Sequence, residues 1–225
     1  IKVSTCVFYL LLVKRIKMLI TRNKKRKPHI LILDVYTLSN SGCYWRAVKW
    51  AELLRVEGSK TRVKVLNKDE SLYQLYHTNA ELFLISSFFK RFVQVLSSFF
   101  YDIVIVRREL LLYNDYGNLF MERFLFSFHN KVILDFDDDI SAAKNEPRNI
   151  SLFGRLLLES PNKFERSLGL YTNFICGNNF LRNQLLKVNS KKNLNIVIIP
   201  TCVDYDIKWE KQYDSHADEL VLGWV

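Results

Sequence analysis

Six short segments of this chain consist almost wholly of branched apolar residues, and helical stretches separate most of them. Residues 29–35 (HILILDV) come first, followed by 62–66, 102–107 (DIVIVR), 131–135, 173–176 and 195–199. A strand with one wet face alternates apolar and polar residues. Near-continuous Val, Ile and Leu runs therefore predict strands buried on both faces, and intervening helices predict parallel pairing. Helices are expected over 43–57, where Ala47, Trp50, Ala51 and Leu54 share a face and Gly58 stops the run, and over 115–128, 152–168 and 178–188. The expected fold class is α/β, a doubly wound parallel sheet. Such sheets bind ligands outside the carboxyl ends of their strands. That edge would gather residues 36–46, Arg107-Arg108-Glu109, the acidic run 135–139, Gly177-Asn178 and Pro200-Thr201.

One of these strand ends is chemically expensive. Val132-Ile133-Leu134 runs into Asp135, Asp137, Asp138 and Asp139, interrupted by Phe136. Crowded carboxylates repel one another and need a metal, a basic partner or a bound substrate, so such clusters mark sites. After the first strand, Ser41-Gly42 forms a turn with a candidate N-cap, leading into a helix that bears Tyr44 and Arg46. Backbone N–H groups there could meet an anion, with Arg46 adding charge; the plainer reading is a turn glycine and a solvated arginine. A dinucleotide fingerprint needs three glycines and finds only Gly42. Arg107 and Arg108 suit either a phosphate or the neighbouring aspartates, and Glu109 is either a base or their counter-ion. His77, His129 and His216 have no nucleophile motif nearby and read as surface or core residues.

The net charge of +10 is unevenly placed. Residues 1–28 carry nine Lys or Arg and no acid, leaving 24 bases against 23 acids in the body. A basic end on a neutral body argues against nucleic acid as a partner and suits an anionic membrane surface. The apolar run 3–13 in that end is shorter than the about 20 residues a bilayer requires, so the expectation is peripheral contact through residues 1–28. The four cysteines are dispersed, which indicates neither a disulfide framework nor a zinc site and suits a reducing cytoplasmic location, with any membrane contact at the inner face. Residues 82–100 hold 12 large apolar side chains in 19, with Lys90, Arg91 and Gln94 at the centre. Those charges argue against a span, and a buried helix is expected; otherwise Phe88, Phe89, Phe92 and Phe99 would meet lipid or a lipid-linked substrate.

Three chemistries compete for the aspartates. The string VILDFDDDI resembles the first motif of haloacid-dehalogenase-type phosphatases, implying Asp135 as nucleophile and Asp137 as acid/base beside magnesium, although Asp139 stands where that motif has Thr or Val. Asp135-Phe136-Asp137 also matches the DxD metal site of GT-A sugar transferases. A longer series runs Ser41-Gly42-Cys43-Tyr44-Trp45-Arg46, Tyr101-Asp102 to Arg108-Glu109, Asp135-Phe136-Asp137-Asp138, Cys176-Gly177-Asn178 to Leu181, Ile199-Pro200-Thr201-Cys202-Val203-Asp204 and Leu222-Gly223-Trp224. This series resembles the N-terminal half of a GT-B glycosyltransferase of the retaining family-4 type.

The resemblance covers about residues 29–225 and implies a division of the chain. Residues 1–28 are an extension, 29–207 a Rossmann-like acceptor-side domain, and 208–225 a linker and the first strand of a donor-binding domain, with Gly223 on the donor side. It implies a nucleotide-diphosphate sugar as donor, a glycan or lipid-linked acceptor, cell-surface polysaccharide synthesis, and neither a cofactor nor a bound metal. The piece by itself is expected to be inactive. Asp137 and Asp138 become the catalytic carboxylates, orienting an acceptor hydroxyl or meeting developing positive charge. Arg46 and Arg108 become phosphate ligands, with Ser41, Gly42, Tyr44, Glu109, Asp135, Gly177, Asn178 and Thr201 completing the substrate wall. A non-catalytic α/β binding module is the remaining alternative.

Overall fold

The computed structural model describes residues 27–66, 80–111, 119–139, 163–189 and 193–201. The basic extension before Lys27, the linker, Gly223, His77 and His216 lie outside the described residues. The chain forms β1 (His29–Asp34), then a continuous helical run, α1, made of Ser41–Cys43, a π-helical turn Tyr44–Val48, and Lys49–Val56. There follow β2 (Lys60–Val65), α2 (Ala80–Ser97) with a 3-10 turn Ser98–Phe100, β3 (Ile103–Arg107), α3 (Phe120–Phe128) and β4 (Val132–Phe136). Then come α4 (Lys163–Leu168), β5 (Asn173–Cys176), α5 (Asn179–Val188) and β6 (Asn195–Ile198).

The six strands form one sheet in the order β2-β1-β3-β4-β5-β6, and every neighbouring pair is parallel. The chain steps one way from β1 to β2 and the other way from β3 onward. The order therefore reverses between β1 and β3, where an open α/β sheet parts its loops into a crevice. Consecutive residues of a strand point to opposite faces, which is why both faces of β1 had to be apolar. Leu31 and Leu33 face a large core with Val104, Val106, Leu134, Phe136 and Phe174, closed by Val95 of α2, Leu125 of α3, Leu168 of α4 and Leu185 of α5. Ile30, Ile32 and Ile105 face a smaller core closed by Cys43, Ala47 and Ala51 of α1. Each fully buried Leu or Ile contributes about 1.5–3 kcal/mol, so the two layers fix the sheet between them.

Three expectations are corrected. Asn40, and not Ser41, caps α1: its side chain accepts from the Cys43 N–H at 3.1 Å. Helix α3 begins at Phe120 because Leu119 takes a left-handed φ of 50°. The apolar helix α2 is only half buried: Phe83, Leu84 and Val95 point inward while Leu82, Ile85, Phe89, Val93 and Leu96 are exposed. Of the surface and core readings open for His129, the buried one holds, with Nε2 2.7 Å from the Ser98 carbonyl oxygen.

Candidate functional site

At the carboxyl edge, three arginines meet four carboxylates. The first comes from α1. The Lys49 N–H reaches back to the Tyr44 carbonyl, and this wider π turn, a feature common near functional sites, carries Arg46. Arg46 is fully buried and forks onto Asp135: Nε donates to Oδ2 at 3.0 Å and Nη2 to Oδ1. Its Nη1 donates to the Ile199 carbonyl at 2.9 Å and to Thr201 Oγ1 at 3.1 Å, while Nε lies 3.8 Å from Asp137 Oδ2. Arg46 thus ties α1, β4 and the end of β6 together. Burial raises the Asp135 carboxyl above its ordinary value, and Arg46 pulls it back only partly.

The second arginine lies at the topological switch. Leu33 pairs with Val106, which sets Asp34 beside Arg107 one residue on. Arg107 Nη1 lies 3.2 Å from Asp34 Oδ2, and its Nη2 reaches Asp137 Oδ1 at 3.4 Å. Asp34 also accepts the Tyr36 N–H at 2.8 Å. The guanidinium lies so close to α1 that a Cβ on Gly42 would stand 2.3 Å from Nη2. A side chain at Gly42 would therefore crowd the Arg107 guanidinium and displace it.

Arg108, the third, takes a left-handed φ of 61°, an uncommon conformation for a side chain of this size, and its N–H is fixed to the Asp135 carbonyl at 2.7 Å. Its Nη1 donates to the Tyr36 hydroxyl at 2.6 Å and to Asp138 Oδ2 at 3.0 Å. Asp138 is 55% exposed and Asp137 20%, so the carboxylates grade from a buried Asp135 to an open lip. Asp139 lies further out and accepts from Gln184 Nε2 at 3.0 Å.

The remaining expected residues divide. Thr201 joins the network, donating to Asp137 Oδ2 at 3.1 Å. Gly177 lets the next loop approach: a Cβ there would stand 3.1 Å from both Cα and Cβ of Asp137. The Asn178 side chain caps α5, accepting from the Leu181 N–H at 2.9 Å. Ser41 is exposed at the rim. Tyr44 turns to Trp45 and Lys49, with its ring edge-on to the first and under the ammonium of the second. Glu109 is buried, with Oε2 3.1 Å from Lys163 Nζ, and its negative charge also favours the charged form of Arg108. The sequence pattern put Tyr36 on this edge without a role of its own and left Asp34 out. The signal for Asp34 was present, since it ends an apolar strand just as Asp135 does.

This arrangement constrains the chemistry. Both Asp135 oxygens are engaged by a buried guanidinium, an arrangement unlike that of a free nucleophile. Between Asp135 and Asp137, where a DxD pair would hold a divalent cation, stands Arg46. Arg46, fully buried, commits four of its five N–H donors to protein oxygens. Arg108 keeps Nε and Nη2 without a protein partner among the described residues, and one Asp138 oxygen is likewise unoccupied. Among the described residues, no three His, Cys, Asp or Glu side chains group as a metal-ligand set. The chain matches no protein-family model and no curated protein.

Proposed function

We propose that this chain is the acceptor-side domain of a GT-B-type hexosyltransferase, in which the lip formed by Asp137, Asp138 and Arg108 receives the acceptor. The observation that carries the reading is convergence. Five segments of the glycosyltransferase-like series, spread from Ser41 to Thr201, meet on one edge and interlock through Arg46, Asp135, Asp137 and Thr201.

Sugar transfer passes through an oxocarbenium-like transition state. The domain facing the donor must therefore orient a hydroxyl and tolerate positive charge. Asp137 is held rigid by Arg107 and Thr201, and Asp138 has an open oxygen to accept from an acceptor hydroxyl. The open nitrogens of Arg108 suit a phosphate of the donor or of a lipid-diphosphate acceptor. Those roles resemble what bidentate guanidinium and paired carboxylates do in other polar sites.

The test is saccharide binding. Saturation-transfer NMR with a panel of soluble glycans and short-chain prenyl-diphosphate sugars should find at least one that binds the wild type. Asp138→Asn should weaken it by about tenfold, the loss of one charge-assisted hydrogen bond. If no member binds at millimolar concentration, or if the bound one is indifferent to Asp138→Asn, the reading fails.

A further inference from the structure

Helix α2 is apolar on two faces. The inner face sinks Phe83, Leu84 and Val95 into the protein. The outer face carries Leu82, Ile85, Phe89, Val93 and Leu96, continued by Phe100 in the following 3-10 turn, and all six are exposed. Spacings of three and four residues align them as a single stripe along the helix. Phe89 is 63% exposed, Val93 64% and Phe100 74%. A contiguous apolar stripe of this extent on a protein surface marks an interaction site.

The stripe ends beside a basic patch. Val63 and Val65 of the edge strand β2 turn toward the α1 side, so Lys60, Arg62 and Lys64 turn toward the side that α2 covers. Lys64 Nζ donates to Ser97 Oγ at 2.6 Å, which joins the two surfaces. Arg55, Lys60 and Arg62 line a cleft of about 490 Å³ whose wall includes Phe100, the last residue of the stripe. These three cations form no ion pair among the described residues. The chain also enters the fold here, where the Lys60 N–H donates to the Pro28 carbonyl at 3.2 Å. The nine bases of residues 1–28 come before this point in the sequence.

We propose that the outer face of α2 and the basic β2 edge together form a docking surface for an anionic lipid bilayer. The stripe lies in the boundary between headgroups and acyl chains, and Lys60, Arg62 and Lys64 meet lipid phosphates. Charge selects this occupant. A second copy could cover the stripe, but Glu81 is the one acidic residue α2 offers to such cations; an anionic bilayer satisfies apolar and basic surfaces at once. The segment Glu81–Phe100 is long and apolar enough to cross a bilayer by length and composition. Crossing would nevertheless strip Phe83 and Leu84 from their packing and break the bond from buried Arg91 Nη2 to the Asp34 carbonyl at 2.6 Å. The helix therefore lies flat.

Flotation of the full chain with vesicles of phosphatidylcholine containing about 30% phosphatidylglycerol tests this, with pure phosphatidylcholine as reference. Wild type should float with the anionic vesicles and be released as salt passes about 0.3 M, where charge is screened within several Å. Phe89→Gln/Val93→Gln should bind about tenfold more weakly, and Lys60→Gln/Arg62→Gln/Lys64→Gln on the order of a hundredfold more weakly at low salt, at about one kcal/mol per charge. Circular dichroism should show both variants folded, since all five positions lie at or near the surface. Undiminished flotation of Phe89→Gln/Val93→Gln would overturn the proposal. So would absence of vesicle binding in a wild type that light scattering finds dimeric and Phe89→Gln/Val93→Gln renders monomeric.

Discussion

Arg46→Met removes the guanidinium that forks onto Asp135 while keeping an apolar stem against Trp50, whose ring lies 4.9 Å from the Arg46 Cζ. What remains is a buried carboxylate without its cation. Breaking a buried ion pair from one side costs about 3–5 kcal/mol, a large fraction of a domain's stability. Asp135 can relieve part of this by holding a proton. Burial already raises its pKa against the pull of Arg46, and without Arg46 the pKa rises further. A carboxyl raised in the folded state contributes stability that is fully present below its unfolded pKa of about 3.9 and lost as pH climbs through the folded value. The Arg46→Met deficit should therefore be smallest near about pH 4.5 and complete near about pH 8. Adding Asp135→Asn, which removes the stranded charge, should recover at least half of it at the higher pH. Urea unfolding followed by circular dichroism at both pH values measures all three proteins. A deficit below about 1 kcal/mol, or one equal at both pH values, would refute the account of Arg46 as the brace of the edge.

Other consequences are simpler to state. Gly42→Ala should cost about 1–3 kcal/mol in thermal unfolding, because its Cβ displaces Arg107, and should cost less in an Arg107→Lys background, where the forked nitrogen is gone. Asn178→Ala should lower stability by about 1 kcal/mol through loss of the α5 cap and leave glycan affinity unchanged; an affinity loss with stability intact would make Asn178 a ligand residue instead. Burial, reinforced by Asp34, holds the Cys43 thiol well above its usual range, and burial with Asp135 pushes Cys176 up to about 11. Both should resist iodoacetamide at about pH 8 in the native protein and react once it unfolds, as read by peptide mass spectrometry.

The strands were legible because a sheet covered on both faces leaves no room for polar residues. Asn173–Cys176 matches its expected span, and the other strands shift by one or two residues at their ends. The convergence of Arg46, Arg108, Asp135, Asp137 and Thr201 followed from the rule that strand carboxyl ends share an edge. The internal pairing did not follow. Whether Arg107 answers Asp34 or Asp135 depends on β3 lying next to β1, and strand order is a long-range choice with no local signature. Glu109 finds Lys163 54 residues later for the same reason. The π turn that carries Arg46 leaves no mark in the helical pattern. Helix α2 shows the opposite limit: its mean apolarity was plain, but composition cannot say whether one face or two are covered.

The claim on which the rest depends is that arginine, rather than a metal ion, neutralises the strand-end carboxylates. Isothermal titration of the wild type and of Asp137→Ala with Mg²⁺ and Mn²⁺ tests it most directly. The ion-paired edge predicts no specific heat in either protein. Micromolar binding in the wild type that disappears in Asp137→Ala would contradict it, and would return the cluster to metal-dependent chemistry.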